Sequence, residues 1–387
     1  MMTVRGDFNR FYAGFFIAIT CLSSSCKNDA STSSDLETKV VADYADHVFN
    51  TYTETLSAAK YLQSAVDGFL AAPSDSTLQE ARNGWRIARA YYGKTEAFRF
   101  YDGPIDNGEH GVEGLLNAWP LDEAYVDYVE GNSSTGIIND IKTYPEITRD
   151  LLVSLNEKGG EENISCGYHA IEFMLWGQDL DTIAAGKRPY TDFIAGSLIN
   201  DRRRTYLKLV TDLLMEHLQY VTDQWSPKIQ DNYRTAFLEA DPKESLQKIF
   251  TGIGVLAKVE LAGERMFTAY DNASQEDEQS CFSDNTYADL QSNLDGIARI
   301  FFGNEGRTGL RQLLESKDPT AAQNVETQLK ATQQAFEHMH QPFDRAIAVD
   351  AYRAETMQAI LAVQKLGNDI ANAASVLQLT INVTNVQ

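Results

Sequence analysis

His169 and Glu172 stand three residues apart in the run Cys166-Gly-Tyr-His-Ala-Ile-Glu-Phe-Met-Leu-Trp-Gly-Gln-Asp179. After Gly167 the pattern is helical, so the two side chains share a face. That face can offer an imidazole nitrogen and a carboxylate to one cation, or to each other. Ile171, Met174 and Leu175 surround the pair with apolar surface. Buried ionisable groups need partners and often mark sites. Two donors do not complete a metal centre, because a catalytic zinc takes three protein ligands. Candidate third ligands are Glu96, Glu260, Glu264 and Asp284, and the His-Glu-x-x-His pattern of zinc peptidases does not occur. His110 and Glu113 repeat the same spacing inside a loop.

Three further clusters could serve that pair. Trp85, Arg89, Tyr92, Glu96 and Arg99 follow one another at spacings of four, three, four and three, which places them along one helix face. Aromatics mixed with paired opposite charges suit a buried network, whereas a solvated face would gain only a few tenths of a kcal/mol per i,i+4 pair. Ser283, Asp284 and Asn285 precede a helix from Thr286, and Asp284 or Ser283 is positioned to cap it. Glu260 and Glu264 stack one turn apart, a mild repulsion unless Arg265 or a cation joins them.

The elements holding these residues read as helices. Val40, Val41, Tyr44, Val48, Tyr52, Leu56, Ala59, Leu62, Val66 and Phe69 make one long apolar stripe. Helical periodicity also covers 77–101, 193–224, 243–270, 287–302, 321–340 and 342–377. Thr77 and Glu80 predict a capping box, and Asp241-Pro242 and Asp318-Pro319 predict helix starts. No series of β-branched strands bounded by hairpin turns interrupts them. The alternating tail Leu377, Leu379, Ile381, Val383 reads as a loose extension. The expectation is an all-α fold of two helical bundles, 38–190 and 191–387, with irregular regions at 102–120, 157–167 and 271–285.

The first forty residues predict export. Arg5 and Arg10 flank the start, an apolar run covers Phe11–Leu22, and Ser23, Ser24 and Ser25 lead to Cys26. That run has signal-peptide length and is too short to span a bilayer. The expectation is a signal peptide over 1–25, a lipid on Cys26, and a flexible polar tether over 26–37, which makes a protein anchored to a membrane. The compartment is then the bacterial envelope, as an outer-membrane lipoprotein facing periplasm or surface. Export puts Cys166 and Cys281 in an oxidising compartment, so the reading pairs them in a disulfide worth up to about 4–5 kcal/mol. A net charge of −22 excludes nucleic acid as a partner.

Together the segments resemble the imelysin family. Gly167-Tyr-His169-Ala-Ile-Glu172 is similar to its Gly-x-His-x-x-Glu signature. Ser280-Cys-Phe-Ser-Asp-Asn-Thr286 is similar to its second characteristic segment, and Trp85…Arg89…Tyr92…Glu96-Ala-Phe-Arg with Gly103-Pro-Ile-Asp106 to its N-terminal one. The resemblance implies a two-domain helical fold, a site at the domain junction near Gly167–Glu172, and exported proteins linked to iron uptake. It also implies metallopeptidase activity, the founding assignment of the family, in which His169 and Glu172 would bind zinc or iron, or Glu172 would be the catalytic base. Histidines often stand in the family where this chain has Gln279 and Tyr287. The favoured expectation is therefore a non-catalytic binding protein for iron, haem or a peptide. Its ligand site joins Arg89, Glu96, Arg99, Gly167, His169, Glu172, Ser283, Asp284 and Asn285, with Glu172 orienting His169 and Arg89 or Arg99 offsetting its charge.

Overall fold

The computed structural model describes residues 26–384, with side chains from Ser34 onward. The expected signal peptide and the side chain of Cys26 lie outside the described residues. Helices dominate, and no strand occurs among the described residues. We number the longer helices α1 (Cys26–Ala71), α2 (Asp75–Thr95), α3 (Gly167–Trp176), α4 (Leu198–Gln224), α5 (Pro242–Val255), α6 (Thr286–Phe302), α7 (Pro319–His338) and α8 (Asp350–Val376).

Every apolar stripe residue from Val40 to Phe69 is buried along α1. The helix presents that face to α2, α4 and α5, while Glu54, Ser57 and Lys60 point to solvent. The segment 26–37, expected as a tether, is the start of this helix, and Leu36 already packs against the core. The α2 capping box lies one turn earlier than expected. Ser74 Oγ accepts from the Thr77 N–H at 3.2 Å, and Thr77 Oγ1 accepts from the Ser74 N–H at 3.0 Å. Glu80 instead accepts from the Tyr61 hydroxyl. Asp241 and Asp318 do cap their helices, at 2.8 Å to the Lys243 N–H and 2.9 Å to the Thr320 N–H, each ahead of a proline. Such caps contribute about 1 kcal/mol each.

α5 runs without a break into a π-helical stretch, Leu256–Phe267. The wider turn puts residues five apart on one face, and Arg265 reaches back to Glu260 at 2.9 Å. π segments are rare and concentrate at functional sites. The expected repulsion between Glu260 and Glu264 is avoided because Arg265 takes the first of them. The C-terminal tail is not loose. Leu377, Leu379 and Val383 are buried, and the Thr380 N–H donates to Gln247 Oε1 at 3.1 Å.

α1 packs on α2, α4 and α5, so the first helix touches elements from both expected units. α4, which an expected boundary near residue 190 assigns to the second unit, packs on α1 and α3. α2 bridges α3 on one side and α6 on another, and α8 packs on α7 and on the π stretch. The buried apolar side chains form one continuous cluster across these contacts.

Candidate functional site

α3 begins at a residue that only glycine tolerates. Gly167 has φ +87°, and a Cβ there would lie 2.5 Å from the Leu116 carbonyl oxygen. The chain thus enters the helix pressed against the 113–117 turn, and every residue from Gly167 to Trp176 is buried. We expect Gly167→Ala to cost more than about 2 kcal/mol, from left-handed strain plus the clash. Urea unfolding checks this, and a variant within about 0.5 kcal/mol of wild type contradicts it.

α2 is laced along α3. The Trp85 indole N–H donates to the Tyr168 carbonyl at 2.9 Å, and Arg82 donates twice to the Leu175 carbonyl, at 3.0 and 2.9 Å. Arg82 and Arg86 both lie over the Trp176 ring. This contact fixes the register in which α2 faces His169 and Glu172.

The expected pair exists. His169 Nδ1 lies 2.8 Å from Glu172 Oε2. The other oxygen, Glu172 Oε1, accepts from the Ser283 N–H at 3.0 Å and the Ser283 hydroxyl at 2.6 Å. Arg86 donates to the Ser283 carbonyl at 3.2 Å. Burial pushes the Glu172 carboxyl up to about 8 against the hydrogen bonds from Ser283. Burial also lowers His169 well below the ordinary imidazole range, helped by the positive field of Arg89 and Arg265. At neutral pH the pair therefore shares one proton and carries no net charge. His169 Nε2 has no hydrogen-bond partner, and the same holds for Arg89 Nη2 and for the hydroxyls of Tyr92 and Tyr168. The Tyr92 and Tyr168 rings lie 4.9 Å apart, and the Arg89 guanidinium sits 5.5 Å from each. Unsatisfied donors thus gather around Arg89, whose charge acts on the imidazole.

The second cluster is a chain of buried charges. Arg89 donates from Nε to Asp289 Oδ1 at 3.1 Å and from Nη1 to the side-chain amide oxygen of Asn117. Asn285 Nδ2 donates to the same Asp289 oxygen at 3.2 Å. Asn117 passes the network to Glu96 at 3.0 Å. Glu96 Oε2 then takes Arg99 at 2.8 Å and Arg265 at 2.7 Å. Burial alone would raise Glu96, but Arg265 and Arg99 hold it at about 2. Glu113 pairs with Arg99 at 2.8 Å. Arg89 therefore serves Asp289, and Arg99 serves Glu96 and Glu113, so neither is the direct counter-ion of Glu172.

Two expectations fail here. Cys166 and Cys281 are both free thiols. Cys166 is the N-cap residue of α3 and makes no side-chain cap bond, and Phe282, next to Cys281, packs its ring on Phe173 of the same helix. Neither Ser283 nor Asp284 caps α6. Asn285 is the N-cap residue with no side-chain cap bond, Ser283 turns to Glu172, and Asp284 turns away.

Asp284 joins a third cluster. Ligand oxygens of Asp179, Asp284 and Asp344 all lie within 4.8 Å of one another. Burial and mutual repulsion push Asp179 up to about 8 and Asp344 to about 6. A surface depression lined by Gln178, Asp179, Leu180, Asp181, Ala185 and Lys187 opens beside it. The structure thus joins His169, Glu172 and Ser283 directly, carries Arg89 and Asn285 through Asp289, and leaves Glu96, Arg99 and Asp284 in adjoining networks. Arg86, Asn117, Asp179, Asp289 and Asp344 escaped the site reading from sequence. Asp179 does close the His169 motif, and Asp289 lies four residues after Asn285, but neither signal is specific.

The His/Glu pair does not fit a catalytic metal. Both Glu172 oxygens are engaged by His169 and Ser283, and Glu96 and Glu260 are held by arginines. That leaves one imidazole nitrogen where a catalytic zinc needs three protein donors.

Comparison with known proteins agrees with the fold. A family model described as Imelysin matches residues 48–370. Iron-regulated protein A of Synechococcus elongatus is 22% identical over 364 residues, covering 91% of this chain and 89% of its own. A crystal structure assigned as an iron-regulated protein A precursor from Parabacteroides distasonis superposes with a TM-score of 0.70 at 20% identity, over 89% of this chain and 95% of that one.

Proposed function

This chain belongs to the imelysin family, and from that premise we propose that it is an exported, lipid-anchored, non-catalytic binding protein of iron acquisition, with its ligand site around His169. The names of its relatives support the link to iron. The apolar run ahead of Cys26 supports export and anchoring. No helix among the described residues is long and apolar enough to cross a membrane, which is consistent with attachment by a lipid.

The carrying observation is the saturation of Glu172. A carboxyl group that accepts from Ser283 twice and faces His169 Nδ1 is a positioning group for the imidazole. It fixes the ring and leaves Nε2 without a partner, and Arg89 Nη2 and the hydroxyls of Tyr92 and Tyr168 also have none. Such a set recognises a bound molecule through one imidazole and several hydrogen-bond donors. It lacks the donors to activate water on a metal.

Purified protein is expected to bind an iron species or haem at micromolar concentration. His169→Gln should weaken this by roughly tenfold or more, about 1.4 kcal/mol, at unchanged helicity. Titration calorimetry with ferrous ion, ferric citrate and haem in separate runs checks it. Chelator-sensitive peptide cleavage that His169→Gln abolishes would reverse the reading in favour of a peptidase, as would no binding of any of the three ligands alongside such cleavage.

A further inference from the structure

We propose that Asp179, Asp284, Asp344 and Glu278 form a binding site for one hard divalent cation, of the calcium and manganese kind, beside the His169 site and independent of its ligand. Three separate segments supply the donors: the loop after α3, the turn before α6, and the first turn of the Phe343–Ala348 helix. Ligand oxygens of Asp179, Asp284 and Asp344 are already within 4.8 Å of one another.

The second observation comes from outside that trio. Glu278 is 1% exposed, its carboxyl lies against that of Asp344, and neither of its oxygens has a hydrogen-bond partner. Among the described residues, every buried carboxylate oxygen without a partner belongs to Asp179, Glu278, Asp284 or Asp344. None of the four forms an ion pair with a basic side chain, although Arg86 lies within electrostatic range of Asp284. Other buried acids are served: Asp127 by Arg188 and Arg203, Glu96 by Arg99 and Arg265, Asp289 by Arg89, and Glu172 by His169 and Ser283. Elsewhere the fold gives its buried carboxyl groups partners, and here it leaves these four together.

The donor set selects the ion. It is oxygen only, which suits calcium, magnesium or manganese and disfavours soft metals. Carboxylates on loops tolerate the irregular coordination of calcium better than the strict octahedron of magnesium. The depression at Gln178–Lys187 gives a path in from solvent. An ion there would clamp the 283–285 turn, and Ser283 of that turn holds Glu172.

The test uses the purified protein stripped with chelator. Calorimetric titration with Ca2+ and with Mn2+ is expected to show one saturable site, and the melting temperature should rise with ion. Asp344→Asn and Glu278→Gln should each weaken binding by about tenfold or more while keeping helicity. Pulsed electron paramagnetic resonance of the Mn2+ complex of the wild type should show oxygen ligands alone, a readout that survives if either variant fails to fold. Nitrogen coupling from a histidine would overturn the assignment, as would absence of saturable binding of both ions below millimolar concentration, or affinity unchanged in both folded variants.

Discussion

Arg265→Met is expected to destabilise the protein by about 3–5 kcal/mol at neutral pH, the cost of taking one of two cations from a buried carboxylate and the donor from two further acceptors. Arg265 and Glu96 are fully buried and meet at 2.7 Å, and Glu96 would keep only Arg99 as counter-ion. Arg265 also donates to Asn293 at 2.5 Å and to Glu260 at 2.9 Å, so the substitution takes a donor from three acceptors on three segments. The π turn that brings Glu260 under Arg265 would lose its reason for that register. Two controls make the claim specific. Pairing Arg265→Met with Glu96→Gln should recover a good part of the loss, because the buried charge is then gone. The loss should also shrink at low pH. Arg265 and Arg99 hold Glu96 at about 2, below its ordinary 4.5, so its stabilisation is present above pH 4.5 and disappears as pH falls toward 2. Chemical denaturation of the three variants at pH 7 and pH 3 measures all of this. A single-variant deficit under about 1 kcal/mol would mean the network is solvated in practice.

The same network shows what the sequence could and could not reveal. The stripe from Trp85 to Arg99 was readable because helical spacing alone places those residues on one face, and four of the five are fully buried. Its partners were not readable. Asp289 lies 200 residues from Arg89, and Arg265 lies 169 residues from Glu96, so only tertiary packing, α2 on α6 and α6 on the π stretch, brings them together. His169 with Glu172 was legible for the local reason that three residues of helix bring them together. Ser283 was legible only as part of a segment. Its hydroxyl was expected to cap a helix, yet a buried carboxylate is the stronger acceptor and took it. The cysteines show the limit of compartment arguments. Oxidising surroundings permit a bond, but pairing also needs the two thiols to meet, and the fold leaves both free. Asp344 carried no local signal, since its neighbours in space come from loops more than fifty residues away.

In the presence of chelator, stability should fall as pH rises from 7.5 to 8.5, and Glu172→Gln should remove part of that fall. Glu172 is one source, beside Glu278 and Asp179 of the acidic cluster. Burial lifts its carboxyl to about 8 in the folded chain against an ordinary 4.5, so the native state keeps a proton that the unfolded state has released. The stabilisation from a raised carboxyl is complete below the unfolded value and is lost as pH climbs through the folded one. The slope for one proton approaches about 1.4 kcal/mol per pH unit only below the folded value and fades above pH 8. Asp179, also lifted to about 8, adds in the same direction. The histidines work the other way at lower pH. His47 and His217 are lowered to about 4 and His169 further still, mostly by burial, so unfolding lets them take up protons up to about pH 7.5, and the fall is read above that. The Glu172→Gln amide keeps an acceptor for Ser283 and a donor for His169 Nδ1, so the variant should fold and its melting temperature should depend less on pH. Melting curves at half-unit intervals decide the matter. A Glu172→Gln profile that falls as steeply as the wild type from pH 7.5 to 8.5 would show that Glu172 is ionised in the folded protein and that the shared proton assigned to the His169 pair does not exist.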